Sequence, residues 1–168
     1  PNNSVAIEEF REDGFSNSLS RKELECKALR MAGWLKSKGI KKGDRVCAYM
    51  PNCSETIITM LATSAIGAIF SSCSSDFGID GVIDRFEQIA PKILVAANGY
   101  LYNGKKIKRS DEIKTISKRL PSLEQILVVD YISSMKGSDH YPNFNTVFQS
   151  DPLVNYVLCE FNDPLYIV

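Results

Sequence analysis

An α/β domain built on a parallel sheet is the fold class this sequence predicts, and three observations predict it. Segments with apolar residues at helical spacing alternate with short, continuously apolar runs. Gly, Pro and Asn punctuate the joins between them. The 168 residues, 44% hydrophobic and 24% charged, have the composition of one ordinary globular domain and suffice to bury a core. Helices of ten or more residues between short buried strands imply βαβ units, hence a layered sheet covered on both faces.

Each element has its own signal. Ser20-Arg21-Lys22-Glu23 is a capping-box pattern, in which Ser20 and Glu23 satisfy amides that a helix start leaves unpaired. Leu24, Ala28, Met31 and Leu35, with Trp34 on the flank, continue it to Gly39. After the Gly43-Asp44 turn, Arg45 to Met50 reads as a buried strand stopped by Pro51-Asn52. From Ser54 to about Ala68, residues such as Ile58, Leu61, Ala62 and Ala65 form a wide apolar face. Its small members suit close packing on a sheet. Ile69 to Cys73 is a second strand, and the loop Ser74 to Gly78 leads to a helix near Asp80–Ile89, closed by Pro91. Lys92 to Ala97 is a third strand, followed by a Gly/Asn/Tyr-rich stretch from Asn98 to Gly104. A helix starts at Ser110, where Ser110 and Asp111 suit an N-terminus, and ends near Leu120-Pro121. Ile126 to Val129 is a fourth strand, and beyond it the pattern dissolves into polar loop until Tyr166-Ile167-Val168.

Charge and cysteine usage exclude several function classes. Twenty basic side chains balance twenty acidic ones, which argues against a protein that wraps nucleic acid. No apolar run approaches the roughly 18 residues of a membrane span. The chain begins at Pro1 without a charged-then-apolar leader, so no secretory signal is visible. Cys26, Cys47, Cys53, Cys73 and Cys159 are an odd set without a C-x-x-C pair, and the single histidine, His140, is remote in sequence. Buried reduced thiols in a cytosolic protein are expected, not a zinc site or a disulfide framework.

Local chemistry is sparse. Asp76, Asp80 and Asp84, with Arg85 adjacent, read as a solvated helix surface rather than a carboxylate cluster. The one charge concentration is Gly104-Lys105-Lys106-Ile107-Lys108-Arg109. It is either a solvated loop or a phosphate-binding surface, with nucleic acid a third reading that no aromatic interleaving supports. Neither G-x-G-x-x-G nor G-x-x-x-x-G-K-S/T is present, so no dinucleotide or P-loop site is signalled.

The order of the segments is more specific than any one of them. Gly39-Ile40-Lys41-Lys42-Gly43-Asp44-Arg45-Val46, then Pro51-Asn52-Cys53-Ser54-Glu55, Met60-Leu61-Ala62 and Ile66-Gly67-Ala68-Ile69-Phe70 follow in series. The series resembles the N-terminal half of adenylate-forming enzymes: the acyl-CoA synthetases, luciferases and peptide-synthetase adenylation domains. Ser71 to Gly78, Gly81 to Phe86, Gln88 to Lys92 and Tyr102-Asn103-Gly104-Lys105 further resemble the acetoacetyl-CoA synthetase (acetoacetate–CoA ligase) branch. Ser75 departs from it, standing where proline is expected.

The resemblance implies ligation of acetoacetate to coenzyme A in two steps, with ATP and Mg2+, through an acyl-adenylate. It places the phosphate loop, adenine pocket, Mg-binding glutamate and adenylation lysine beyond Val168, so no catalytic or metal-binding residue is assigned. On it, residues 1–168 are expected to be part of a truncated N-terminal AMP-binding domain, with the rest of that domain and a small C-terminal domain absent. Such a piece is expected to be inactive alone and less stable, its last strand leaving a sheet edge bare. The resemblance also assigns part of the coenzyme A entrance to Ser75, Asp76 and Phe77 and to Gly104, Lys105 and Lys106, with Lys108 as a helper. Lys105 stands where the related acetyl-CoA synthetases carry an arginine, keeping its charge but not its fork; Tyr102 stands where they carry another. The implied partners are small molecules only (acetoacetate, ATP and coenzyme A), with no nucleic acid, no membrane span and a cytosolic location. Another short-chain acyl-CoA synthetase and a free-standing α/β binding module remain the alternatives.

Overall fold

A computed structural model describes residues 3–135 and 137–168; Pro1, where the chain begins, lies outside the described residues. A hairpin of β1 (Val5–Phe10) and β2 (Ser16–Ser20), on which the sequence reading is silent, precedes the first helix. The helix α1 (Arg21–Ser37) opens on the expected capping box. The Glu23 amide donates to Ser20 Oγ at 3.2 Å and the Ser20 amide to Glu23 Oε2 at 2.8 Å. It closes on a Schellman motif, with the Gly39 amide donating to Lys36 O and the Ile40 amide to Leu35 O. Gly39 takes the positive φ of +79° that this ending requires.

The strands β3 (Arg45–Tyr49), β4 (Ile69–Cys73), β5 (Ile93–Ala97) and β8 (Gln125–Val129) all pair in parallel, joined at the edge by the two-residue β9 (Tyr166–Ile167). Their order is β8-β5-β3-β4-β9. The crossovers are α2 (Ser54–Ala65), α3 (Ile79–Glu87) and α4 (Ser110–Arg119). α2 ends three residues before the expected Ala68, because the chain turns at Gly67 with φ +70°.

Alternation along each strand divides the core in two. Val46, Ala48, Val95 and Leu127 meet Met31, Leu35, Ile58 and Ala62 of α1 and α2. Cys47, Tyr49, Leu94, Ala96 and Val128 meet Val82, Phe86, Ile113 and Ile116 of α3 and α4. The parallel sheet is therefore covered on both faces, as the sequence predicts.

One expectation is corrected. The Gly/Asn/Tyr-rich stretch from Asn98 and the basic run to Arg109, for which a solvated loop is one reading of the sequence, form a second hairpin, β6 (Gly99–Tyr102) with β7 (Lys105–Lys108). Its two-residue turn is Asn103-Gly104, with φ of +48° and +71°, the left-handed pair a type I′ turn needs. Among the described residues no helix is long and apolar enough to cross a membrane.

Candidate coenzyme-binding site at the sheet switch point

From β3 the chain moves to β4 on one side and then returns to β5 on the other, so the strand order reverses between β3 and β5. Open α/β sheets bind ligands at such a point, outside the carboxyl ends of the strands. Here those ends carry Tyr49 and Asn98, and over them lie the loop after β4 and the β6–β7 hairpin.

Buried hydrogen bonds fix both covers. Tyr49 Oη lies 2.7 Å from Phe77 O and 3.1 Å from Ser75 O, donating into the loop. Burial pushes the Tyr49 phenol up to about 12, so it remains a donor at neutral pH. Arg109, between β7 and α4, donates Nε to Ser75 O at 2.8 Å and pairs through Nη1 with Glu112 Oε1 at 2.7 Å. Its guanidinium stands 4.9 Å from the Tyr100 ring centroid. Asn98, fully buried, accepts the Ile132 amide at 2.9 Å and donates to Ile132 O, while its own carbonyl takes the Arg109 amide. The loop and the hairpin thus rest on one polar framework.

The residues singled out from sequence divide within this frame. Ser75 is 1% exposed; its carbonyl takes Tyr49 and Arg109, and its buried Oγ has no hydrogen-bond partner among the described residues. Asp76 is exposed, and Phe77 is half-buried under the Arg85 guanidinium at 4.9 Å. Lys105 is exposed at the hairpin end, paired across the turn with Tyr102, itself 65% exposed, and forms no ion pair among the described residues.

Strand alternation puts Lys105, Tyr102 and Tyr100 on one hairpin face, the face that meets Arg109. Lys106 and Lys108 lie on the other, and Lys106 Nζ donates to Ser134 Oγ at 3.0 Å. The three lysines therefore do not converge. The Gly104 amide is not open either, since it donates to Glu12 Oε2 at 3.0 Å. Tyr49, Asn98, Tyr100 and Glu112 were not singled out from sequence, and Arg109 was noted only as the end of the basic run. The Asn103-Gly104 pair was the one signal that would have exposed the hairpin, and with it Arg109 at its base.

A model of the family described as "AMP-binding enzyme" matches residues 1–167. The chain belongs to that family. It is 41% identical to the acetoacetyl-coenzyme A synthetase of Rhizobium meliloti (strain 1021) over 164 residues, which are 94% of this chain and 25% of that protein. The acetoacetyl-CoA synthetase of Macaca fascicularis is 36% identical over 156 residues, 87% of this chain and 23% of its own length. Among solved structures, the acetoacetyl-CoA synthetase from Streptomyces lividans superimposes with a TM-score of 0.85 at 30% identity, covering 90% of this chain and 23% of that one. The chain spans about a quarter of the length of the curated relatives it matches. The fold class read from sequence, an α/β layered portion of an adenylate-forming enzyme, is the fold observed.

Proposed function

We propose that the protein ligates acetoacetate to coenzyme A through an acetoacetyl-adenylate, using ATP with Mg2+, and that this chain supplies part of the coenzyme A entrance. The reading also includes a cytosolic location. Adenylation supplies the chemistry a carboxylate lacks, because it exchanges an oxide leaving group for AMP. This chain's own residues position and neutralise. The single observation that carries the reading is that the loop 74–78 and the β6–β7 hairpin meet at the switch point through Arg109.

The fit to a phosphate-bearing ligand rests on exposure and charge. The Lys105 ammonium is exposed and unpaired among the described residues, beside two tyrosine rings on the same hairpin face. An ammonium in that position attracts phosphate from any direction but does not clasp it bidentately as arginine does. The Gly104 amide reaches a ligand only if Glu12 releases it, so Lys105 leads in this assignment and Gly104 follows. Lys106 and Lys108 act from the opposite face by field rather than by contact. Ser75, Asp76 and Phe77 form the other wall.

The test is acid-dependent exchange of pyrophosphate into ATP by the intact protein, with acetoacetate, acetate and longer acids. Exchange fastest with acetoacetate, and coenzyme A-dependent release of AMP, is the expected result. A preference for acetate or another acid moves the assignment to a different short-chain acyl-CoA synthetase. No exchange with any acid overturns the reading.

A further inference from the structure

We infer that Arg109, held by Glu112 and Tyr100, is the positioning residue that sets the coenzyme A affinity of this site by locking the loop 74–78 to the β6–β7 hairpin. The inference rests on the coenzyme A reading above and assigns it a device that neither the motifs nor the family likeness names.

Three observations converge on it. First, Arg109 Nε from the end of the hairpin and Tyr49 Oη from β3 both reach the Ser75 carbonyl, at 2.8 and 3.1 Å, the single phenol proton being shared with Phe77 O at 2.7 Å. A backbone carbonyl held at two points fixes the path of the loop on both sides. The second Tyr49 contact, to Phe77 O, spans the intervening Asp76. Second, each of the three nitrogens of the Arg109 guanidinium has a partner inside the protein, and the side chain is 12% exposed. Its Nε is on Ser75, its Nη1 on Glu112 and its Nη2 within 3.3 Å of Tyr100 Oη, with the guanidinium also against the Tyr100 ring. These bonds tie the loop and the hairpin, so its action on the site runs through its neighbours. Third, its backbone amide donates to Asn98 O at the hairpin base, so the residue that holds the loop also closes the hairpin carrying Lys105. The two walls of the entrance share one fastener.

The chemistry of arginine explains the choice of residue. A planar fork satisfies a carbonyl, a carboxylate and a phenol in three directions at once, whereas lysine has a single nitrogen to share among them.

The experiment compares Arg109→Met, Arg109→Lys and Glu112→Gln in the intact protein. The Arg109→Met change is expected to raise the coenzyme A KM roughly tenfold or more, the ratio that loss of a charged hydrogen bond gives, with acetoacetate-dependent pyrophosphate exchange within about twofold of the parent. Arg109→Lys and Glu112→Gln should fall between the two, and free methylguanidine should restore coenzyme A affinity to Arg109→Gly. Equal loss of exchange and coenzyme A turnover, or an unchanged coenzyme A KM, overturns the proposal. Hydrogen exchange read on the same variants without substrate separates this from the functional reading. Faster exchange confined to 74–78 and 99–108 supports the clamp even if the parent proves to use another thiol or acid. Unchanged exchange there overturns it whatever the activity. Should Arg109→Met fail to fold, Arg109→Lys and Glu112→Gln carry the same tests.

Discussion

At the scale of single residues, burial decides which titratable groups are chemically available. Cys47, Cys53 and Cys73 are buried, and desolvation of the thiolate pushes all three thiols up, Cys53 to about 12. Cys26 and Cys159 are exposed. Brief iodoacetamide treatment of the native protein followed by peptide mapping should therefore label Cys26 and Cys159, and label the other three only after denaturation. Labelling of Cys47 at the rate of Cys26 would contradict the packing. Tyr49 gives a pH dependence with a definite sign. Its phenol rises from 10.0 unfolded to about 12 folded, chiefly through desolvation, so the native state binds the proton more tightly. The stability it contributes is complete below pH 10 and is lost as pH rises from about 10 to 12. Urea midpoints should fall across that window, and fall less steeply in Tyr49→Phe.

At the scale of elements, sequence signals succeeded where the backbone itself needs particular residues. The capping box at Ser20 and Glu23, the stop at Gly39 and the continuous apolar strands were readable because each is local chemistry. The β6–β7 hairpin was misread because Lys105, Lys106 and Lys108 lack strand character, and what holds the hairpin is a turn at one end and Asn98 and Arg109 at the other. Gly33 was equally silent. It lies mid-helix in α1, where glycine is unfavourable, and a Cβ there would run into the backbone carbonyl of Asp151. The segment carrying Asp151 crosses the helix at that point, with the Leu153 amide on Leu29 O and Arg30 bonded to Phe148 O and Ser150 O. Gly33→Ala should cost about 1–3 kcal/mol in urea unfolding despite the gain in helix propensity, because a backbone carbonyl cannot step aside as a side chain can. A stabilised variant would show that the crossing is loose.

At the scale of the whole molecule, the parallel sheet was legible because strands buried on both faces leave uninterrupted apolar runs. Strand order was not, since it depends on which face each crossover takes. The switch point follows from that order, and so does the candidate site: the β6–β7 hairpin joins Asn98 to Arg109, but Tyr49 comes beside them only once β3 and β5 are neighbours. The family likeness suggested one wall at Ser75 to Phe77 and the other at Lys105, while the polar framework joining the loop to the hairpin came from tertiary structure alone. In the proposed function, the hairpin end presents Lys105 to the phosphates of coenzyme A. Steady-state kinetics of Lys105→Glu in the intact protein tests it most directly. A coenzyme A KM raised at least tenfold, with acetoacetate-dependent pyrophosphate exchange unchanged, is the predicted result. A coenzyme A KM equal to that of the parent would contradict it.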